Sequence, residues 1–258
     1  MLARPRYYLV SPNIRPEEES FWAGKRYDCI KADFKTFITA LNEQVPAHKR
    51  ILSSLKKESD HPALSKLVLK GPVTENLLNF LTKDFTYIHK NMGAEQLDPK
   101  LFYKGLSYGW APIQQDLDVK RRINNDMLLE LFIDEEMAER KKQQLVLLKG
   151  HAGSGKTVVL KRLAWEAATN YDSFCLFINK NSFPQASALK ELHEYYDRRI
   201  YLFIDSASQN IDKILYLYNA AIQSDIKATF IISERYNEWN ISCELLFKYI
   251  SSTFKLPY

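Results

Sequence analysis

Glycine is scarce in this chain, with 8 residues in 258, and cysteine is scarcer, with 3. Cys29, Cys175 and Cys243 are odd in number, far apart and set among apolar residues. That pattern excludes a disulfide-stapled scaffold and predicts buried thiols in a reducing compartment. The five histidines (His48, His61, His89, His151 and His193) show no paired ligand spacing, so no zinc site is expected. No apolar run approaches the roughly 18 residues of a membrane span. The apolar stretch after Arg6 is too short for a signal peptide. A soluble, cytoplasmic chain with no membrane partner is the expectation. Internal repeats and low-complexity tracts are also missing.

What is present is ordinary for a globular chain: 46% hydrophobic residues, 26% charged and a net charge of +5. The length allows one or two domains. Basic clusters at Lys120-Arg121-Arg122 and Arg140-Lys141-Lys142 suit nucleic acid in principle. Each falls at a helix end or loop, where solvated charge is the commoner reason, so nucleic acid is not an expected partner.

Against this scarcity, three glycines fall within eight positions, in Gly150-His151-Ala152-Gly153-Ser154-Gly155-Lys156-Thr157. This matches the phosphate-binding loop G-x-x-x-x-G-K-[ST], which a chain of this length meets by accident roughly once in a hundred at average glycine usage. The glycines let backbone N–H groups approach phosphate oxygens. Lys156 reaches the β- and γ-phosphates, and the Thr157 hydroxyl is a ligand for Mg²⁺. Ala152, Ser154 and Val158 complete the nucleotide-binding set. The apolar run Gln144–Leu148 before the loop reads as an interior strand, and Thr157–Ala168 after it as a helix.

The same alternation continues. Phe174–Ile178 is a second strand, Ala186–Tyr196 a helix, and Ile200–Ile204 a third strand running into Asp205. A carboxylate at the end of such a strand has the form of a Mg²⁺-holding Walker B residue. A helix N-cap is the competing explanation for Asp205, since Ser206 and Ser208 follow. Thr229–Ser233 is a fourth strand, placed between the first and third, so its end is expected to face the γ-phosphate, with Ser233 or Arg235 sensing it. Arg235 there stabilises charge, or it forms a surface ion pair with Glu234. A helix over Trp239–Tyr249 and a strand over Thr253–Leu256 complete an α/β, five-stranded, doubly wound parallel sheet over residues 141–258. Residues 46–140 read as a mainly helical linker, with one helix through Leu77, Phe80, Leu81 and Phe85 and another over Met127–Ala138.

The glycine loop with Val158-Val159-Leu160-Lys161-Arg162-Leu163-Ala164, Leu202-Phe203-Ile204-Asp205 and Ile231-Ile232-Ser233-Glu234-Arg235 resembles the STAND NTPases, signal-transduction ATPases with numerous domains. More narrowly, the segments Phe102–Gly105 and Gly109–Ile113, Asp118-Val119 and Glu238-Trp239-Asn240 resemble prokaryotic STAND modules that follow a sirtuin-like domain in defence-type proteins. This resemblance spans residues of roughly 100–258. A fainter one covers 1–45: Arg6–Pro12, Phe21-Trp22, Tyr27–Lys31 and Phe34–Ile38 are similar to the end of a sirtuin-like domain. Without it, those residues read as a strand, a polar turn, a second strand and a helix. Together the two imply a slice of a larger protein, against the simpler alternative of a complete small one.

The resemblance implies ATP (or another NTP) and Mg²⁺ as cofactors, and self-association through flanking domains. It places Trp110 beside the adenine, where hinge packing is the equal alternative. Hydrolysis needs a group that orients water, and Ser206 stands where many STAND ATPases carry a second acid. Glu234 is the nearest candidate in sequence. The catalytic set is therefore Lys156, Asp205, Arg235 and Glu234, with Thr157 and Asp205 on the metal. A slow ATPase switch is the leading expectation, a non-hydrolysing nucleotide scaffold the second. A P-loop phosphotransferase is third, because no Arg-rich lid follows the third strand.

Overall fold

The computed structural model describes residues 7–10, 27–30, 73–93, 97–105, 109–133, 141–196 and 198–256. The chain divides into two units, Met1–His61 and Pro62–Tyr258. In the first, β1 (Tyr7–Val10) and β2 (Tyr27–Ile30) pair in parallel, Tyr7 opposite Tyr27 and Val10 opposite Ile30. A tight polar turn joins antiparallel strands, so it does not account for this pairing. The helix expected over Phe34–Leu41 lies outside the described residues.

The second unit is built on a six-stranded sheet in the order β3-β5-β6-β7-β4-β8. Its members are β3 (Phe85–Tyr87), β4 (Gln143–Gly150), β5 (Phe174–Ile178), β6 (Ile200–Ile204), β7 (Ala228–Arg235) and β8 (Ile250–Lys255). Strands β4 to β8 are all parallel. Their apolar runs follow from burial on both faces. Leu145, Leu147, Leu176, Leu202 and Phe230 point into one core, with α1 (Glu75–Asn79), α6 (Ala186–Tyr196) and α7 (Ile211–Gln223). Val146, Leu148, Cys175, Phe203 and Ile231 point into the other, with α4 (Arg122–Leu128) and α5 (Lys156–Asn170). The period of two thus divides each strand between two helical layers.

The sheet departs from the expected five parallel strands by its sixth member. Strand β3 runs antiparallel to β5 at the edge, within the segment expected to be helical linker. The helix through Leu77 and Phe80 loosens into a π-helical turn over Phe80–Asp84 and stops there. Phe85 then turns in against Phe80, ring centres 4.8 Å apart. The Asn179 N–H donates to the Asp84 carbonyl at 2.9 Å, and the Thr86 hydroxyl to Asn179 Oδ1 at 2.6 Å. Contacts from β5, distant in sequence, therefore override the local helical spacing.

Two other elements differ from expectation. The helix expected over Trp239–Tyr249 is instead α8 (Tyr236–Ser242) followed by a 3₁₀ segment, Glu244–Tyr249. In a straight helix Trp239 and Phe247 would lie about 12 Å apart along the axis. The break at buried Cys243 lets their rings stack at 5.2 Å. The helix expected over Met127–Ala138 is α4 with a π-helical turn over Leu129–Ile133, and residues 134–140 lie outside the described set. Short helices α2 (Pro99–Tyr103) and α3 (Ala111–Gln114) precede α4.

Candidate functional site

Strand β4 ends at Gly150 and α5 begins at Lys156, so the glycine loop joins the C-terminal edge of the sheet to a helix N-terminus. Gly153 and Gly155 hold φ of +73° and +83°, the left-handed region that a side chain disfavours. Gly150 is needed for space: a Cβ there would stand 2.7 Å from Ser154 Oγ and 3.1 Å from the Leu256 side chain. No side chain caps α5, whose N-cap is Gly155. Its first-turn N–H groups have no intrahelical acceptor and present a ready site for an anion.

Register brings the other functional groups to the same edge. Because β7 lies beside β4, Ser233 stands opposite Leu148, Glu234 opposite Lys149 and Arg235 opposite Gly150. On its other side β7 pairs with β6, whose last residue, Ile204, precedes Asp205. The Asp205 carboxylate accepts from the Thr157 hydroxyl at 2.7 Å through one oxygen and from the Ser233 hydroxyl through the other. Two hydroxyls from two separate stretches thus converge on the carboxylate of a third. Lys156, Thr157, Val158, Gly153, Gly155, Ser206, Glu234 and Arg235 share with them a pocket of about 310 Å³.

Lys156 folds back on the loop, donating to the carbonyls of Gly150 at 3.1 Å and His151 at 2.7 Å. Burial pushes its ammonium below the ordinary lysine value, and Arg235 adds to the effect, while Asp205 and Glu234 oppose it. Two cations, Lys156 and Arg235, thus line one pocket, where an anion would be held favourably.

Glu234 is buried, and its two oxygens serve two backbone N–H groups, those of Ser208 and Arg235, each at 2.7 Å. It pins the end of β7 to the turn after Asp205. Among the described residues it forms no ion pair with Arg235, whose side chain is exposed. Ser206 holds φ of +55°, a left-handed conformation uncommon for serine, and Asn210 Nδ2 supports the turn by donating to the Asp205 and Ser206 carbonyls at 3.1 and 3.2 Å.

Trp110 meets Phe177 edge-on at 5.3 Å, and the Lys161 ammonium sits 5.4 Å from its ring centre. It lines a second cleft beside the glycine-loop pocket. On the other side of the loop a hollow of about 700 Å³ is bounded by Arg121, Ile123, Phe254 and Leu256.

Arg121 is a site residue that sequence reasoning passed over. Its guanidinium donates to the Ser154 carbonyl at 2.7 Å, and a Cβ on Gly155 would come within 3.1 Å of it. Read as one of a basic triplet, it had no signal to separate it from Lys120, which pairs with Asp116 at 3.2 Å. Behind it Arg162, 3% exposed, clamps the Trp110–Arg121 segment to α5: it pairs with Asp118, with Asp116 at 2.9 Å and with the Ile113 carbonyl at 2.8 Å.

The donor set fits Mg²⁺ held together with a nucleotide. Mg²⁺ in such sites takes one or two protein oxygens and completes its octahedron with water and phosphate. Thr157 Oγ1 and the Asp205 carboxylate supply two hard oxygens in contact. No group of three or more His, Cys, Asp or Glu suited to a metal occurs among the described residues.

The family match agrees with this chemistry. The family described as novel STAND NTPase 5 matches residues 100–246. No curated protein matches the chain. Among solved structures, that of PCH-2 from C. elegans is similar at a TM-score of 0.39 and 15% identity, over 57% of this chain. The chain spans 46% of the length of that protein. No helix among the described residues is long and apolar enough to cross a membrane.

Proposed function

Because the chain belongs to the STAND NTPase family described as novel STAND NTPase 5, we propose that it is an ATP-binding regulatory module in which Mg·ATP and ADP act as states of a switch. The convergence of Thr157 and Ser233 on the Asp205 carboxylate, at the lip of the glycine loop, carries the proposal. Bound Mg²⁺ would neutralise phosphate charge, held by Thr157 and Asp205. Lys156 is assigned to the β- and γ-phosphates in place of its present carbonyl partners. Gly150, Ala152, Gly153, Ser154, Gly155 and Val158 supply the cradle, and Arg235 stabilises γ-phosphate charge. Ser233, shared between β7 and Asp205, reports the state of the γ-phosphate to the sheet. The hollow lined by Arg121, Ile123, Phe254 and Leu256 suits the base, with Trp110, which lines the second cleft against Phe177 and Lys161, as a packing residue.

Turnover is slow in this scheme. Among the described residues Glu234 is the one buried carboxylate near Asp205, yet both its oxygens are engaged by N–H groups, so it orients water only after the turn at Ser208 rearranges. That engagement, with Ser206 in place of a second acid, also favours the alternative of a non-hydrolysing scaffold. The proposal further places the module (core 141–258, linker 46–140) in a prokaryotic signalling or antiphage-defence protein. There residues 1–45 close a sirtuin-like domain, and flanking domains turn nucleotide state into self-association. Single-turnover phosphate release from radiolabelled ATP tests the switch. Slow release that Asp205→Asn abolishes supports it; bound ATP that is never cleaved refutes it in favour of the scaffold.

A further inference from the structure

The ends of β5 and β6 carry more positive charge than one nucleotide site uses. A cleft of about 730 Å³ opens there and shares Thr157, Asp205 and Ser206 with the phosphate pocket. Three lysines from three elements line it: Lys161 from α5, Lys180 just after β5, and Lys213 from α7. Among the described residues none of the three has a carboxylate ion-pair partner. Their contacts are to neutral groups. Lys161 donates to the Gly109 carbonyl at 2.9 Å, and Lys213 to Asn210 Oδ1 at 3.1 Å while lying 5.5 Å from the ring centre of Phe183.

Among the described residues lining the cleft the one carboxylate, Asp205, is already taken by Thr157 and Ser233. Burial pushes the Lys161 ammonium down, Asp205 draws it back up and Lys180 pushes it down again. Three ammonium groups against one carboxylate, itself shared with two hydroxyls, leave the cleft with net positive charge, so it attracts anions and repels cations. An arginine from a second copy of the chain is therefore a poor occupant. The uncharged lining adds hydrogen-bonding amides at Asn181 and Gln209 and a flat ring at Trp110. The volume lies within the roughly 300–1,000 Å³ of small-molecule sites.

We propose that this cleft binds a second, phosphate-bearing small molecule, held by Lys161, Lys180 and Lys213 alongside Mg·ATP. The proposal rests on the nucleotide assignment above, because the two ligands meet at Thr157, Asp205 and Ser206. Their binding is coupled there: whichever enters first changes the affinity for the other by one common factor. The second ligand then becomes an input to the switch.

Pyrophosphate is a suitable probe once the glycine loop is filled. The full chain saturated with Mg²⁺ and a non-hydrolysable ATP analogue is titrated with pyrophosphate in a calorimeter, beside Lys180→Glu/Lys213→Glu. Each lost charge-assisted contact weakens binding by about tenfold or more. The double variant should lose at least that much pyrophosphate affinity, keep its affinity for the analogue and unfold at the wild-type temperature. Absence of pyrophosphate binding to the saturated wild type, or equal binding by the double variant, would overturn the proposal. If the analogue itself fails to bind, the nucleotide assignment falls separately. The cleft is then judged by pyrophosphate binding to Lys156→Ala with and without the two charge reversals, against the same two outcomes.

Discussion

Arg162→Met should be among the most damaging single changes in the second unit, although Arg162 touches no phosphate. The side chain is 3% exposed and Asp118 is 1% exposed, so removing the guanidinium leaves a carboxylate buried without a countercharge. Bonds to the Ile113 carbonyl and to Asp116 go as well. Although burial disfavours the charged form, hydrogen bonds and charge from Asp118 hold Arg162 above its ordinary pKa, so the cation is present at any working pH. Breaking a buried pair from one side costs about 3–5 kcal/mol. At roughly 2–4 °C per kcal/mol for a unit of this size, the melting temperature should fall by about 6–20 °C. The neighbouring Lys120–Asp116 pair, with side chains 60% and 61% exposed, provides the control. Lys120→Ala should change stability by less than about 0.5 kcal/mol. Asp118→Leu with Arg162→Met should recover part of the loss, because the deepest carboxylate is then gone, while Glu166, 14% exposed and 3.9 Å from Arg162, still loses its partner. Denaturant unfolding of the three variants measures all of this. A cost below about 1 kcal/mol for Arg162→Met would show that the clamp is no more than a surface bridge.

Three further outcomes follow from the geometry. Gly150→Ala sets a methyl group 2.7 Å from Ser154 Oγ, so it should distort the loop, cost about 1–3 kcal/mol and weaken ATP binding at least tenfold; adding Ser154→Ala should restore part of both, and failure to do so would show that the clash lies elsewhere. In the proposed site Lys156 binds phosphate as the ammonium, and its folded pKa lies below the ordinary 10.5, so ATP affinity should begin to fall with rising pH before pH 10.5. The cost of burying that charge is relieved over the same window, so affinity and stability should move in opposite directions; a fall in affinity only above pH 10.5 would contradict the burial argument. Burial pushes the Cys175 thiol well up and the Cys243 thiol up to about 11, so neither should be alkylated at pH 8 before unfolding. Peptide mapping checks this, and native labelling at Cys243 would show that the break after α8 is open.

The parts of the molecule legible in sequence were those whose signal is local. Buried parallel strands read as apolar runs, and β5, β6 and α6 have the bounds their residues suggest. The glycine loop announces itself by composition, and Asp205 by its place at a strand end. Strand β3 was not legible, because Phe85–Tyr87 has three residues and becomes a strand only against β5. The break at Cys243 was hidden for a similar reason, since it goes with a ring contact between Trp239 and Phe247 that a straight helix would not make. Ser206 carries no glycine-like mark of its left-handed backbone. The Arg121 and Arg162 contacts join residues 33 and 44 positions from their partners, beyond the reach of any local pattern.

Equilibrium binding of ATP with and without Mg²⁺, to the wild type beside Lys156→Ala and Asp205→Asn, tests the central claim most directly. The site described here predicts tight, Mg²⁺-dependent binding by the wild type, none by Lys156→Ala, and binding by Asp205→Asn that no longer responds to Mg²⁺. A folded wild type that ignores ATP, or a Lys156→Ala variant that binds it equally well, would contradict the assignment of this loop to phosphate.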